Sequence, residues 1–194
     1  MDTPKYSLHL FAGAGGGMLA DRFHGITPVA AVEIEEFPRR VLELRFPDIG
    51  IWDDVQTFRA DNPECREAFD WLRGHADDLV IAGGFPCQDI SAAGRGEGIE
   101  GACSGLWREF ARVLCEIRPR WAFVENSPLL VGRGIQRVLG DLASMGYDAW
   151  WEVLGASECG AMHKRERIWI TARRGGGREI RDADEIQCRE VRSI

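Results

Sequence analysis

The sequence is poor in the features that would place it outside an ordinary soluble fold. No stretch of its 194 residues approaches the ~18 consecutive apolar residues that a membrane span requires. The start, MDTPKYSLHLF, lacks the cationic flank and long apolar run of a secretory signal. The six cysteines, Cys65, Cys87, Cys103, Cys115, Cys159 and Cys188, contain no CxxC pair and no regular spacing. That pattern argues against a zinc site or a disulfide framework and for a reducing, cytoplasmic compartment. Internal repeats are absent. Lysine is nearly absent too: only Lys5 and Lys164 accompany 22 arginines. The formal charge of −7 counts against a general nucleic-acid binder, which is normally basic. The charge is uneven, however. From Ala161 onward nine Lys/Arg face six Asp/Glu, a local +3, against −10 for the residues before it.

With 45% hydrophobic and 28% charged residues, the chain has the composition of a globular domain with a real core. Short β-type runs alternate with helical ones. Strands are expected at Ser7–Phe11, Val29–Val32, Leu79–Ala82, Trp121–Val124, Tyr147–Leu154 and Arg167–Ala172. Helices are expected through Leu19 and Phe23, after Pro38 as a first helical residue, over 64–73, over Leu106–Ile117 and over Ile135–Met145. The run Leu79-Val80-Ile81-Ala82 is wholly apolar, as a strand buried on both faces of a parallel sheet would be. This βαβαβ order predicts a doubly wound α/β sheet with helices on both faces. Gly175-Gly176-Gly177 reads as the end of packing. The expected organisation is one catalytic domain over 1–174 and a loosely held polar tail over 175–194.

Four segments carry chemistry. The first is Phe11-Ala12-Gly13-Ala14-Gly15-Gly16-Gly17 at the end of the first strand, where a glycine turn lets backbone approach a nucleotide. Alone it is open between a nucleotide site, a dinucleotide-type site and a structural tight turn; Glu33, ending the second strand, is placed for ribose hydroxyls in either nucleotide reading. The second is Gly83-Gly84-Phe85-Pro86-Cys87-Gln88. A cysteine just past a strand's carboxyl end is positioned as a nucleophile, whereas a core cysteine would sit inside the strand. The third is Val124-Glu125-Asn126. If its strand neighbours the Leu79 strand, Glu125 and Cys87 emerge side by side, an acid beside a thiolate. Standing alone, Glu125 would read as a solvated strand end. The fourth is His163-Lys164-Arg165-Glu166-Arg167. Such a run is usually a surface turn, yet alternation sends Arg165 and Arg167 to one side, where they could grip phosphate or a base carbonyl.

In this order, FAGAGGG, GGFPCQDIS, VENSP and HKRERIWI resemble the motifs of the cytosine-C5 DNA methyltransferases, including phage and prophage members, over roughly residues 6–173. The resemblance implies a Rossmann-like sheet that binds S-adenosylmethionine. Phe11, Gly13, Gly15, Gly16 and Pro86 would hold the cofactor, with Glu33 on its ribose, Ile34 against its adenine, Asp54 on the adenine amino group and Leu106 closing the far side. Cys87 would add to C6 of a cytosine flipped from double-stranded DNA, and Glu125 would bond N3. Arg167 would meet the cytosine O2, Arg165 and Ser91 phosphate, with Gln88 and Arg95 further DNA contacts. Gly94 to Gly105 would form a mobile lid. No metal is implied. A role in restriction-modification and a reaction on RNA by the same chemistry are both compatible with these motifs.

The chain departs from the family pattern at Ser127, where Val is usual, at Met162, where Pro is usual, and at Cys103, where Arg is common. After Ala172 it has 22 residues with no aromatic and no Gly-Asn motif. The expectation is therefore a catalytic core without an evident target-recognition region. Such a core acts alone, depends on a separate recognition subunit, or is a remnant that binds cofactor without turnover.

Overall fold

The computed structural model describes residues 3–86 and 104–175. The chain alternates as expected: β1 (Tyr6–Leu10), α1 (Gly16–Phe23), β2 (Thr27–Val32), α2 (Glu36–Arg45), β3 (Gly50–Trp52), α3 (Arg66–Gly74), β4 (Leu79–Gly84), α4 (Ser104–Ile117), β5 (Trp121–Asn126), α5 (Leu130–Arg133), α6 (Ile135–Ser144), β6 (Tyr147–Gly155) and β7 (Glu166–Arg174). The strands form one sheet in the order β3-β2-β1-β4-β5-β7-β6. The first five in that order are mutually parallel, and β7 runs antiparallel to both of its neighbours.

Strand alternation sorts the core into two layers. Leu8, Leu10, Leu79, Ile81, Ala122, Val124, Ile168 and Ile170 point to one face, where they meet Phe69 and Leu72 of α3, Phe110 and Leu114 of α4, and Val138 and Leu142 of α6. On the other face Ala31 packs with Met18 of α1, with Leu42 of α2 and with Phe46 just after that helix. The fold is a Rossmann-like sheet with helices on both sides. Over β4, β5 and β7 the second face is a groove of about 680 Å³ whose lining includes Val80, Ala82, Trp121, Phe123, Thr171 and Arg173.

Several details differ from the sequence reading. Pro38 is the third residue of α2, not the first; its missing N–H is harmless there because the first turn's donors have no intrahelical acceptor. The three-residue β3 and the four-residue α5 were not expected, being too short for periodicity to register. Against the expectation drawn from the cysteine spacing, Cys115 is disulfide-bonded, whereas Cys65 and Cys159 are free. Among the described residues no helix is long and apolar enough to cross a membrane. The tail expected beyond Gly175 lies outside the described residues.

Candidate active site

Every predicted site residue that the structure describes lies at or just past one end of the sheet, or on the helix that leads away from it. In register, Leu10 sits beside Val32 and Gly83, Val32 beside Trp52, Gly84 beside Glu125, and Asn126 beside Ile168. The carboxyl ends of β3, β2, β1, β4 and β5 therefore meet the start of β7 along one rim.

Directly after β1, Phe11 adopts φ +56°, Gly13 +53° and Gly15 +85°. A left-handed phenylalanine is uncommon and marks a turn held by its surroundings. Here the Ala12 amide donates to the Val32 carbonyl (3.1 Å) and the Gly15 amide to the Ala12 carbonyl (3.1 Å). Gly15 must be glycine on two counts. Its φ disfavours a side chain, and a Cβ would lie 2.8 Å from Leu42 Cδ2 and Phe46 Cε2. Beside Gly13 and Gly16 the space is open, as a surface facing a ligand should be.

Glu33 is 7% exposed, and its carboxylate lies against that turn. Oε2 accepts the Gly13 amide at 2.7 Å and Oε1 the Glu35 amide at 2.8 Å. The glycine turn and the β2 end are thereby one unit, and each oxygen retains a lone pair for a hydroxyl donor. Ile34, the next residue, is 66% exposed. On the far side of β2, Asp54 follows β3, and its Oδ1 accepts the Gln56 amide at 2.8 Å. Leu106 of α4 is half-buried against the main core. An open glycine backbone, a carboxylate suited to a diol and a second carboxylate suited to an amino group together fit an adenosyl ligand.

The other half of the rim is built on β4, β5 and β7. Glu125 leans over β4 so closely that a Cβ on Gly84 would overlap its Oε2. Its Oε1 pairs with Arg167 Nε at 2.7 Å, both side chains about 30% exposed. Two residues far apart in sequence are thus joined, because β7 inserts beside β5. Asn126 is 2% exposed; its Nδ2 donates to the Phe85 carbonyl at 2.9 Å and its Oδ1 accepts the Ser127 amide at 2.8 Å. It ties the end of β5 to the Phe85-Pro86 turn. Pro86 is exposed at the edge of this turn. Arg165 is exposed and precedes the strand, which begins at Glu166. Alternation therefore does not fix its side relative to Arg167. Cys87, Gln88, Ser91, Arg95 and Cys103, and the lid expected over 94–105, lie outside the described residues apart from the lid's last two positions, which open α4.

A sequence profile of the C-5 cytosine-specific DNA methylases matches residues 6–186. The chain belongs to that family. Among its relatives, the type II methyltransferase M.CviJI of Paramecium bursaria Chlorella virus IL3A is 35% identical over 169 residues, covering 86% of this chain and 42% of the relative. M2.BsuMI of Bacillus subtilis (strain 168) is 32% identical over 171 residues, 84% of this chain and 40% of the relative. In three dimensions the S. pombe Dnmt2 methyltransferase superposes with a TM-score of 0.67 at 20% identity, over 89% of this chain and 52% of that one. This C-5 cytosine methylase chain thus spans about 40% of the length of the two sequence relatives.

Three site features escaped sequence reasoning. Asn126 stood inside a recognised motif, but its partner, a backbone carbonyl, has no sequence signature. The need for glycine at position 84 follows only from Glu125 on the neighbouring strand. Arg112, buried on α4, was passed over because the helix was read from its apolar positions alone. Among the described residues no cluster of three or more His, Cys, Asp or Glu side chains is arranged to hold a metal.

Proposed function

We propose that the chain carries the catalytic core of a DNA cytosine-C5 methyltransferase that uses S-adenosylmethionine, with Cys87 as nucleophile. The observation that carries this reading is the convergence of Glu125, Arg167 and the Phe85-Pro86 turn at one rim: Arg167 lies 2.7 Å from Glu125, and Asn126 fastens the turn beneath them. Cys87 is the next residue after that turn.

In this reading the cytosine leaves the duplex and enters beside Glu125. The Cys87 thiolate forms a bond to C6, and the ring electrons move toward C5 and N3. Glu125 hydrogen-bonds N3 and Arg167 the O2 oxygen, stabilising the charge that develops. The cofactor, when bound, would supply an electrophilic methyl group for C5 and would leave as the neutral thioether S-adenosylhomocysteine. A base then removes the C5 proton, the ring electrons expel Cys87, and the thiolate returns. Phe11, Gly13, Gly15, Gly16, Glu33, Ile34, Asp54, Pro86 and Leu106 would hold the cofactor. Gln88, Ser91, Arg95 and Arg165 would meet DNA.

A second reading keeps the cofactor site but places DNA recognition on further polypeptide, in this or another chain. It is favoured by the share of the relatives' length, about 60%, that has no counterpart here.

Trapping tests both. A duplex containing 5-fluorocytosine, incubated with S-adenosylmethionine and the chain, should give a covalent complex that is lost in Cys87→Ser. Calorimetric binding of S-adenosylmethionine without trapping of any duplex supports the second reading. Trapping of a 5-fluorocytosine RNA in preference to DNA overturns the DNA assignment, and no cofactor binding at all overturns both readings.

A further inference from the structure

Helix α4 presents its buried apolar side chains to the sheet, and along another stripe it carries three charges, Glu109, Arg112 and Glu116. The spacings of three and four residues place them on one face of the helix. Arg112 and Glu116 side chains are only 4% exposed. Arg112 Nε donates to Glu109 Oε2 at 2.6 Å, and Nη1 lies 3.1 Å from Glu116 Oε2, although without the angles of a hydrogen bond. The remaining contacts leave the helix. Arg112 Nη2 donates to the Val55 carbonyl at 2.7 Å and to the Phe58 carbonyl at 3.0 Å. Glu116 Oε2 accepts the Ala60 amide at 3.0 Å. One guanidinium and one carboxylate therefore hold the backbone of residues 55–60 from three points.

A buried ionic cluster is a poor source of net stability, because desolvation offsets most of the attraction, but it can specify a single register. The segment it grips begins one residue after Asp54. That residue is also tied into the same turn, since its carbonyl accepts the Thr57 and Phe58 amides at 3.2 and 3.0 Å. Val55 and Phe58 are buried, and among the described residues the segment pairs with no strand. Arg112 thus supplies the fixed reference that β3, only three residues long, does not.

We infer that Arg112 is a positioning residue that sets the Asp54 carboxylate for recognition of the adenine amino group. The inference rests on the adenosyl reading of the site above. Asp54 makes the contact, and Arg112, through the Val55 and Phe58 carbonyls, holds it in place. A lysine at 112 keeps the charge but loses the planar fork that spans two carbonyls.

The test uses the full chain with Arg112→Lys, and with Arg112→Met as the harsher variant. Hydrogen exchange should quicken at the Thr57, Phe58 and Ala60 amides of Arg112→Lys, with the β4 amides unchanged. Calorimetry compares S-adenosylhomocysteine with its inosine counterpart, in which a carbonyl oxygen replaces the adenine amino group. The unaltered chain should prefer the adenine form by about tenfold, the worth of one hydrogen bond to a charged acceptor. Arg112→Lys should bring that preference toward unity, and adding Asp54→Ala should lower it no further. A merely structural role would lower the melting temperature and leave the preference intact. Unchanged exchange at 57–60, or an unchanged preference, overturns the inference. If the unaltered chain binds S-adenosylhomocysteine with no preference, the role given to Asp54 falls, and the inference with it. If it binds neither compound, the adenosyl reading itself fails, and quickened exchange would then mark a structural pin only.

Discussion

Replacing Asn126 by leucine removes two hydrogen bonds while nearly conserving volume. The Phe85 carbonyl loses its 2.9 Å donor, and the Ser127 amide loses its 2.8 Å acceptor. Asn126 is fully packed, so water cannot enter to replace the amide without opening the end of β5. A buried polar group left unpaired costs about 1–3 kcal/mol. Ser127 is half-buried and falls at the low end, which puts the sum at roughly 2–4 kcal/mol. For a chain of this size each kcal/mol is worth about 2–4 °C, so thermal unfolding should move down by roughly 4–16 °C. Asn126→Asp keeps the acceptor for Ser127 but sets a second oxygen against the Phe85 carbonyl. It should be no more stable than the leucine variant at neutral pH, and it should recover as pH falls, when the protonated carboxyl regains a donor. Trapping of a 5-fluorocytosine duplex reports the second consequence. A displacement of about 1 Å in the Phe85-Pro86 turn should lower the trapping rate by about 10²-fold. An Asn126→Leu protein that melts within a degree of the parent would refute the stability argument, and a destabilised variant that traps at the parental rate would refute the positioning argument.

Other substitutions separate stability from chemistry. Gly84→Ala pushes the Glu125 carboxylate off β4; trapping should fall by about 10²-fold while the melting temperature changes little, because the tip of a partly exposed side chain can move. Gly15→Ala forces a left-handed alanine into contact with Leu42 and Phe46. Left-handed strain of about 1–2 kcal/mol and overpacking of about 1–3 kcal/mol should appear as a clear loss in denaturant unfolding. Arg167→Ala removes an ion pair that is about 30% exposed; stability should change by less than about 1 kcal/mol, whereas methyl transfer should drop by about 10²–10³-fold through loss of a donor to the developing charge. A large stability loss in Arg167→Ala, or full activity in Gly84→Ala, would contradict the geometry.

The parallel α/β class was legible because Leu79–Ala82 and Trp121–Val124 are apolar runs bounded by turn residues that alternate with helices, whereas the order of the strands, and β3 at its edge, came only with the structure. Glycine at 13 and 15, Glu33 after β2 and the Gly-Phe-Pro turn after β4 were legible for a related reason. Each stands immediately past a strand end, where chain position already implies the rim. The insertion of β7 between β5 and β6 could not be read, because two strands joined by a ten-residue connection can pair with the sheet through either member.

By itself, the sequence determined that the glycine turn, Glu33, the Gly-Phe-Pro turn and Glu125 stand at strand ends, since a strand end is a local property. What only the tertiary structure decided is which of them touch. Arg167 reaches Glu125 through the antiparallel placement of β7. Asn126 acts on a backbone carbonyl 41 residues away in sequence. Arg112 turns a charged stripe on a helix into a clamp on the Asp54 segment. Backbone acceptors look alike at every position in a sequence, so contacts made to them become visible only once the chain has folded.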